Sequence, residues 1–181
     1  MNIIALSGKL GSGKDFIYNQ YLKPMGYHRW ALADHFKIWI VGCGRATYEE
    51  VFQTKPPHVR HLLQQEGTEN GRNIFGKDIW LDVAFAWMTH LGQTWNIENF
   101  CITDVRFPNE VEYVQRHHGK VFRIIAPMRE HLSGATKEAR NHISETALDD
   151  YPLNTYDALL YNDPTQEATV GYQIKNLLGN I

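Results

Sequence analysis

Residues 7–15 read Ser7-Gly8-Lys9-Leu10-Gly11-Ser12-Gly13-Lys14-Asp15. This stretch follows the apolar run Ile3-Ile4-Ala5-Leu6, and a segment with apolar side chains at helical spacing comes after it. A strand, a Gly-x-x-x-x-Gly-Lys loop and a helix form a phosphate-binding unit, because the glycines let backbone N–H groups point inward at phosphate oxygens. The stretch therefore predicts a phosphate-binding loop at the start of an α/β fold.

Two residues of this loop bear most directly on its chemistry. Lys14 would place a full positive charge against the outer phosphates of a ligand. Asp15 stands where Ser or Thr usually offers a hydroxyl to Mg²⁺. The alternative is a glycine-rich turn before an ordinary helix, and the flanking strand and helix patterns favour the phosphate-binding interpretation.

The composition excludes several classes of protein. The length of 181 residues fits one α/β domain, and the formal net charge of −2 gives no broad basic surface for duplex nucleic acid. No apolar run approaches the ~20 residues of a membrane span, and the chain enters its first strand at once, so we expect neither a membrane segment nor a signal peptide. The two cysteines, Cys43 and Cys101, fit a reducing compartment, with Cys101 packed in a buried strand. These features predict a cytoplasmic protein.

Strand-like and helix-like patterns alternate along the chain, which favours a parallel sheet with helices on both faces. The predicted strands are residues 3–6, 27–32, 100–105, 120–126 and 157–161. We expect helices to end at Gly67, Gly92 and Gly119, because glycine adopts the left-handed conformation that often closes a helix. The long helical excursion over residues 33–99 exceeds what a crossover needs, so we expect it to form a substrate-binding lobe.

A second polar motif, Asp104-Val105-Arg106, follows the apolar run Phe100-Cys101-Ile102. Open parallel sheets place ligands at the carboxyl ends of their strands, so Asp104 can hold Mg²⁺ opposite the phosphate loop. The planar guanidinium of Arg106 suits bidentate binding of phosphate. The alternative is an Asp that caps the next helix and an Arg in a surface ion pair.

A third polar segment runs from Met128 to His142, with Ser133-Gly134 inside it. Basic side chains on either side of a small-residue turn are typical of a lid that closes over a transferring phosphate and excludes water. Arg129 and Arg140 are the candidates to stabilise charge on the transferring group. The alternative is a solvated helical hairpin whose arginines pair with nearby carboxylates.

Several motifs, taken in order along the chain, resemble those of the bacteriophage deoxynucleoside monophosphate kinases. They are Gly13-Lys14-Asp15, the block from Gln65 to Arg72, Asp78-Ile79-Trp80, the segment from Asp104 to Glu110, and His142-Ile143-Ser144-Glu145. The resemblance covers residues 3 to about 150. It implies a three-layer P-loop kinase fold of the α/β class, with a five-stranded parallel sheet flanked by helices.

The resemblance also implies how one kinase domain is divided. The core would comprise residues 1–32, 100–126 and 150–181, the helical monophosphate-binding insert about 33–99, and the lid about 127–142. The implied reaction is phosphorylation of a deoxynucleoside 5′-monophosphate to the diphosphate, with ATP as donor and Mg²⁺ as cofactor. A homodimer is implied as well, and a phage-encoded enzyme would work in the host cytoplasm.

The same resemblance implies the site residues. ATP would be bound by Gly8, Lys9, Leu10, Gly11, Ser12, Gly13, Lys14 and Asp15, and Mg²⁺ by Asp15 and Asp104. The acceptor would meet Lys37, Thr68, Glu69, Arg72, Trp80, Arg106, His142 and Glu145. Catalysis would rest on Lys14, Asp15, Asp104, Arg106, Arg129 and Arg140. Some of these have simpler interpretations: Trp80 can fill the core, Lys37 can edge a solvated helix, and His142 and Glu145 can begin a helix.

Two other functions stay open at this point. One is a P-loop kinase for another phosphorylated metabolite, of the phosphomevalonate or dephospho-coenzyme A type, since a Gly-Lys-Asp loop occurs in some phosphomevalonate kinases. The other is a nucleotide-binding switch or assembly ATPase that acts on a protein partner. The chain shows no second basic patch or oligomerisation helix that would favour the switch.

Overall fold

A computed structural model of the chain describes residues 1–132, 143–164 and 167–179. Its five strands are β1 (Asn2–Ser7), β2 (His28–Trp30), β3 (Asn99–Val105), β4 (Lys120–Ile125) and β5 (Ala158–Tyr161). They form one parallel sheet in the order β2-β3-β1-β4-β5. All five predicted strands and their parallel arrangement are confirmed.

Helices fill the connections between the strands. They are α1 (Lys14–Ile17), α2 (Asp34–Gly42), α3 (Pro57–Gln64), α4 (Asn73–Phe75), α5 (Ile79–Trp95), α6 (Pro108–Arg116), α7 (Pro127–Leu132), α8 (Ile143–Thr146) and α9 (Glu167–Leu178). Wider π-helical turns continue α1 over Tyr18–Leu22 and α3 over Gln65–Arg72, and another spans Glu50–Thr54. Among the described residues, no helix has the length and apolar character needed to cross a membrane.

The central strand β1 sends alternate side chains to opposite faces of the sheet. Ile3 and Ala5 join a buried cluster that includes side chains of α5 and α6, whereas Ile4 and Leu6 join a cluster that includes side chains of α1 and α9. The chain therefore folds in three layers. Because the crossovers after β1 and β3 lead to opposite sides of the sheet, a crevice opens between the carboxyl ends of these two strands.

The predicted helical excursion between β2 and β3 is confirmed. Within it, Ile40, Val51 and Val59 are fully buried and form a third apolar cluster of their own, separate from the two clusters that cover the sheet. This packing gives the excursion an internal core, which holds α2 and α3 together.

The predicted helix end at Gly67 is wrong. The helix widens into the π-helical segment Gln65–Arg72, which passes through Gly67. A Cβ at Gly67 would lie 3.2 Å from the ring of Phe36, and one at Gly71 would lie 2.4 Å from the ring of Trp80. These two glycines therefore allow aromatic rings to approach the helix backbone.

The predicted helix ends at Gly92 and Gly119 are also wrong. Helix α5 continues through Gly92 to Trp95, and Asn96 closes it in the left-handed conformation at φ 56°. After α6 the left-handed residue is His118, at φ 61°, and not Gly119. A Cβ at Gly119 would lie 2.6 Å from a methyl carbon of Val114, so close packing explains this glycine.

Candidate active site

The glycine loop between β1 and α1 is held by side chains that lie close to its backbone. Gly11 and Gly13 have φ values of 85° and 92°, which favour glycine. A Cβ at Gly13 would lie 2.3 Å from Nδ2 of Asn162, and a Cβ at Gly8 would lie 2.5 Å from Oγ of Ser12. The Asn162 side chain donates a 2.9 Å hydrogen bond to the carbonyl oxygen of Ser12. This clamp on the loop comes from the end of β5, and sequence analysis missed it.

Lys14 lies over the loop that precedes it. Its ammonium group donates hydrogen bonds of 2.6 Å to the carbonyl oxygen of Gly8 and 3.0 Å to that of Lys9. Burial, together with the neighbouring positive charge of Arg106, lowers the pKa of Lys14 to about 8. The loop therefore holds a partly desolvated lysine at the crevice.

Asp104 joins the end of β3 to the start of α2. Its Oδ1 accepts a 2.8 Å hydrogen bond from the N–H of Leu32, and its Oδ2 accepts one of 3.1 Å from the N–H of Ala33. The carboxylate therefore binds the turn after β2, and does not cap the helix that follows it in sequence. The exposed Asp15 lies in the same region. Burial disfavours the charged form of Arg29, but the negative charges of Asp34, Asp15 and Asp104 together raise its pKa. Asp15 and Asp104 therefore both lie near this guanidinium.

Glu145 bridges the glycine loop and Arg106. Its Oε2 accepts a 2.9 Å hydrogen bond from the N–H of Leu10, and its Oε1 pairs with the guanidinium of Arg106. The Glu145 side chain is only 7% exposed. The ammonium group of Lys9 donates to the carbonyl oxygen of Glu145 at 2.6 Å and pairs with Asp149. A nearly buried anion therefore lies between a loop N–H and an arginine.

Glu110 connects Arg106 to the helical excursion. Its carboxylate pairs with the guanidinium of Arg72 and accepts N–H hydrogen bonds from Arg106 at 2.6 Å and from Phe107 at 3.1 Å. Burial raises the pKa of Glu110, and Arg72 and these N–H groups oppose the rise. The guanidinium of Arg72 also lies 4.2 Å from the centre of the Phe107 ring. Glu110 was not among the predicted site residues, although its position three residues after Phe107 is typical of a side chain that caps a helix.

The predicted acceptor residues occupy different environments. Lys37 pairs with Asp34 at 3.0 Å and lies 5.3 Å from the centre of the Phe52 ring. Thr68 and Glu69 are exposed on the π-helical segment.

Lys55 is a basic residue that sequence analysis missed. It lies between the turn Glu50–Thr54 and α3 in the left-handed conformation, at φ 46°. Burial lowers its pKa, and the positive charges of Lys37, Arg60 and Arg106 lower it further. These four basic residues therefore lie within electrostatic reach of one another. The only local signal was a lysine directly before two prolines.

An aromatic cavity of about 480 Å³ lies inside the helical excursion. Its lining residues are His35, Phe36, Trp39, Arg45, Glu66, Asn70, Phe75 and Trp80. The Trp80 and Phe36 rings lie 5.0 Å apart, and the indole N–H of Trp80 donates a 2.8 Å hydrogen bond to the carbonyl oxygen of Gly67. Trp80 therefore both packs against α2 and forms a wall of the cavity.

Of the two predicted lid arginines, the structure describes one. The Nε of Arg129 donates a 2.6 Å hydrogen bond to the carbonyl oxygen of Asn162, and its guanidinium lies 5.6 Å from the centre of the Phe16 ring. Arg129 therefore contacts the same residue that clamps the glycine loop. Arg140 and His142 lie outside the described residues.

The fold and the loop define the class of protein. A parallel sheet in the order β2-β3-β1-β4-β5, with a glycine-rich loop and its lysine between β1 and α1, is the three-layer fold of the P-loop kinases. The crystal structure of TT1252 from Thermus thermophilus has this fold at a TM-score of 0.57, with 16% identity over 99% of this chain and 98% of that chain. The shikimate kinase from Bacteroides thetaiotaomicron gives a TM-score of 0.49, with 14% identity over 97% of both chains.

A model of the deoxynucleotide monophosphate kinase family matches residues 45–170, which is more than half of the chain. The chain therefore belongs to the deoxynucleotide monophosphate kinase family, and it is a phosphotransferase of the P-loop kinase class. A search of curated proteins gives no match. The glycine loop precedes the matched range, so its assignment rests on the residues and geometry described above.

Proposed function

We propose that the protein transfers the γ-phosphoryl group of ATP to a deoxynucleoside 5′-monophosphate, which yields the deoxynucleoside diphosphate and ADP. The observation that carries this proposal is the position of Glu145 between the N–H of Leu10 and the guanidinium of Arg106. These two groups bind an anion between the glycine loop and the end of β3. A transferring phosphoryl group needs the same donors on its oxygens.

The glycine loop is the proposed ATP site. Residues 8–15 would surround the phosphates with backbone N–H groups, and Lys14 would exchange its two carbonyl partners for phosphate oxygens. The Ser12 hydroxyl supports a ligand here, because it is buried and finds no hydrogen-bond partner among the described residues. Lys9 and Leu10 would contact phosphate once Glu145 releases them.

Asp15 and Asp104 are the proposed Mg²⁺ ligands, directly or through water. Carboxylate oxygens are the donors that Mg²⁺ prefers, and each Asp104 oxygen accepts one N–H and retains a further lone pair. The metal, bound with the triphosphate, neutralises part of its negative charge. The protein's own part is to fix Asp104 through the N–H groups of Leu32 and Ala33.

The acceptor is proposed to bind between the helical excursion and Arg106. Lys37, with Lys55 beside it, would attract the 5′-phosphate, while Thr68, Glu69 and Trp80 would contact the nucleoside. We propose that Arg72 acts through Glu110, which in turn positions Arg106. His142 and Glu145 are proposed to meet the acceptor when the lid of residues 127–142 closes.

No general base is required, because the acceptor phosphate already presents an anionic oxygen. The protein therefore aligns donor and acceptor, and Lys14, Arg106, Arg129 and Arg140 offset the charge of the transferring group. The core, insert and lid boundaries, a homodimer, and action in a host cytoplasm stay predictions.

The alternative acceptor is another phosphorylated metabolite, as in phosphomevalonate or dephospho-coenzyme A kinases. The aromatic cavity beside the proposed acceptor site favours an acceptor that carries a planar base over the aliphatic phosphomevalonate, because aromatic side chains suit stacking. A switch ATPase would need no such cavity.

The experiment that tests the proposal is an ADP-release assay with ATP, Mg²⁺ and each deoxy- and ribonucleoside monophosphate in turn. We expect ADP release to depend on a deoxynucleoside monophosphate and to be lost in Lys14→Ala. The exposed Lys23→Ala serves as the matched control and should retain activity. ADP release that no monophosphate increases, or that survives in Lys14→Ala, would contradict the proposal.

A further inference from the structure

The aromatic cavity contains a buried carboxylate. Glu66 is 6% exposed, and its Oε1 accepts hydrogen bonds of 2.5 Å from Arg45 and 3.0 Å from the side-chain amide of Asn70. No hydrogen bond to its Oε2 is found among the described residues. Burying a charged group is costly, and stability alone is a weak reason to keep one. Glu66 is therefore a candidate for ligand recognition.

The walls of the cavity suit a flat ring. Trp80 and Phe36 line it and pack against each other, with 5.0 Å between their ring centres, and the centre of the Trp39 ring lies 5.7 Å from the guanidinium of Arg45. Pockets of this kind bind nucleobases by stacking, and a few polar groups at the edge select which base enters.

We propose that Glu66 and Arg45 recognise the Watson–Crick edge of a guanine base in this cavity. This inference rests on the proposed function, because it assigns the base of the acceptor monophosphate. Glu66 would accept hydrogen bonds from the N1–H and the 2-amino group of guanine, and Arg45 would donate one to O6.

Hydrogen-bond chemistry selects guanine among the four bases. An ionised carboxylate only accepts hydrogen bonds, and an arginine only donates them. Guanine presents two adjacent donors beside one acceptor on this edge. Adenine and cytosine each present one amino group with a ring nitrogen acceptor next to it, and thymine presents one N–H between two carbonyl oxygens. Only guanine uses both carboxylate oxygens without placing an acceptor against them.

The cavity is also connected to the phosphate-binding residues. Glu66 and Arg72 lie on the same π-helical segment, and Arg72 pairs with Glu110, which accepts the N–H of Arg106. On the opposite wall, His35 follows Ala33 by two residues, and Ala33 donates its N–H to Asp104. The cavity is therefore connected to Arg106 and Asp104 through two short chain segments and the hydrogen bonds that these segments make.

The test compares kcat/KM for dGMP and for deoxyinosine monophosphate, which differs only by lacking the 2-amino group. Because a hydrogen bond to a charged group is involved, we expect the wild type to favour dGMP by about tenfold or more. In Glu66→Gln the preference for dGMP over deoxyinosine monophosphate should fall to about threefold or less, because an NH2 donor replaces one carboxylate oxygen. The exposed Glu49→Gln is the matched control and should keep the wild-type ratio.

Arg45→Met provides a second variant, at a side chain that is 39% exposed. It should lower kcat/KM for dGMP and deoxyinosine monophosphate alike and leave their ratio unchanged, because both carry O6. Equal use of the two substrates by the wild type, or an unchanged ratio in Glu66→Gln, would overturn the inference while the kinase activity stands.

Failure of the proposed function has a different signature. If no monophosphate is phosphorylated, equilibrium binding of dGMP and deoxyinosine monophosphate by calorimetry still tests the cavity. The same tenfold preference in binding, lost in Glu66→Gln, would support recognition of guanine, and equal binding would overturn it.

Discussion

Glu145 and Arg106 form an ion pair directly in front of the glycine loop, and the second oxygen of Glu145 accepts the N–H of Leu10. The carboxylate therefore occupies two donors that a phosphate oxygen would use. Anions compete for such donors according to their charge and hydrogen-bond strength. Glu145 has to give up at least Leu10 before the loop can surround a phosphate.

We therefore expect Glu145→Gln to bind a non-hydrolysable ATP analogue about fivefold more tightly than the wild type. A neutral amide holds the Leu10 N–H less strongly than a carboxylate does, by roughly 1 kcal/mol. Calorimetric titration measures the effect, with the exposed Asp150→Asn as control. Unchanged or weaker binding in Glu145→Gln would show that the carboxylate does not compete with the nucleotide.

The lowered pKa of Lys14 predicts how ATP binding depends on pH. Below about pH 8 Lys14 is protonated in the free protein, and above that pH it is mostly neutral. Above pH 8, phosphate binding therefore requires Lys14 to take up a proton, which weakens the apparent affinity. We expect the Kd of ATP to rise by up to about tenfold for each pH unit between 8 and 10.

Lys14→Arg separates this cause from others, because arginine keeps its charge over the whole range. Its ATP affinity should change much less than that of the wild type between pH 8 and 10. Parallel pH profiles for the two proteins would assign the effect to another group.

The Arg72–Glu110 pair is expected to stabilise the fold. Removing one partner leaves the other charge buried, so Glu110→Ala should lower the free energy of unfolding by about 3–5 kcal/mol. Urea denaturation measures this, and the double variant Glu110→Ala with Arg72→Met should recover part of the loss. A loss below about 1 kcal/mol in Glu110→Ala would mean that the pair is not formed as described.

Asp15 is expected to set the Mg²⁺ requirement. A carboxylate beside a triphosphate is repulsive unless a cation neutralises it. Asp15→Ala should therefore need more Mg²⁺ for half-maximal activity, with a smaller effect on turnover at saturating Mg²⁺. Titration of activity with Mg²⁺, beside Asp150→Ala as control, measures this. Identical titration curves for Asp15→Ala and the wild type would contradict the role.

The sheet and the loop could be predicted from local patterns. Short apolar runs separated by helical segments predict the strands. Residues 8–14 form a phosphate-binding motif that can be recognised from neighbouring residues alone. Two of the three wrong helix ends, at Gly67 and Gly119, have one cause. Gly67 and Gly119 were predicted to end helices because glycine adopts the left-handed conformation easily. In the structure their small size instead allows close packing against Phe36 and Val114.

The rest of the candidate site depends on contacts between distant residues. Asn162 lies 150 positions from Ser12, whose carbonyl oxygen it binds, and Glu110 lies 38 positions from Arg72. No local spacing signals such pairs. Glu66 was similarly hidden, because its neighbours in the cavity come from α2, α4 and α5 as well as from its own segment.

The proposed reaction transfers the γ-phosphoryl group of ATP to a deoxynucleoside monophosphate. The most direct measurement uses ATP labelled in its γ-phosphate and follows the label by chromatography, with and without the acceptor. We expect label in the deoxynucleoside diphosphate with the wild type, and none there with Lys14→Ala. Label that appears only as inorganic phosphate, whatever monophosphate is added, would contradict it.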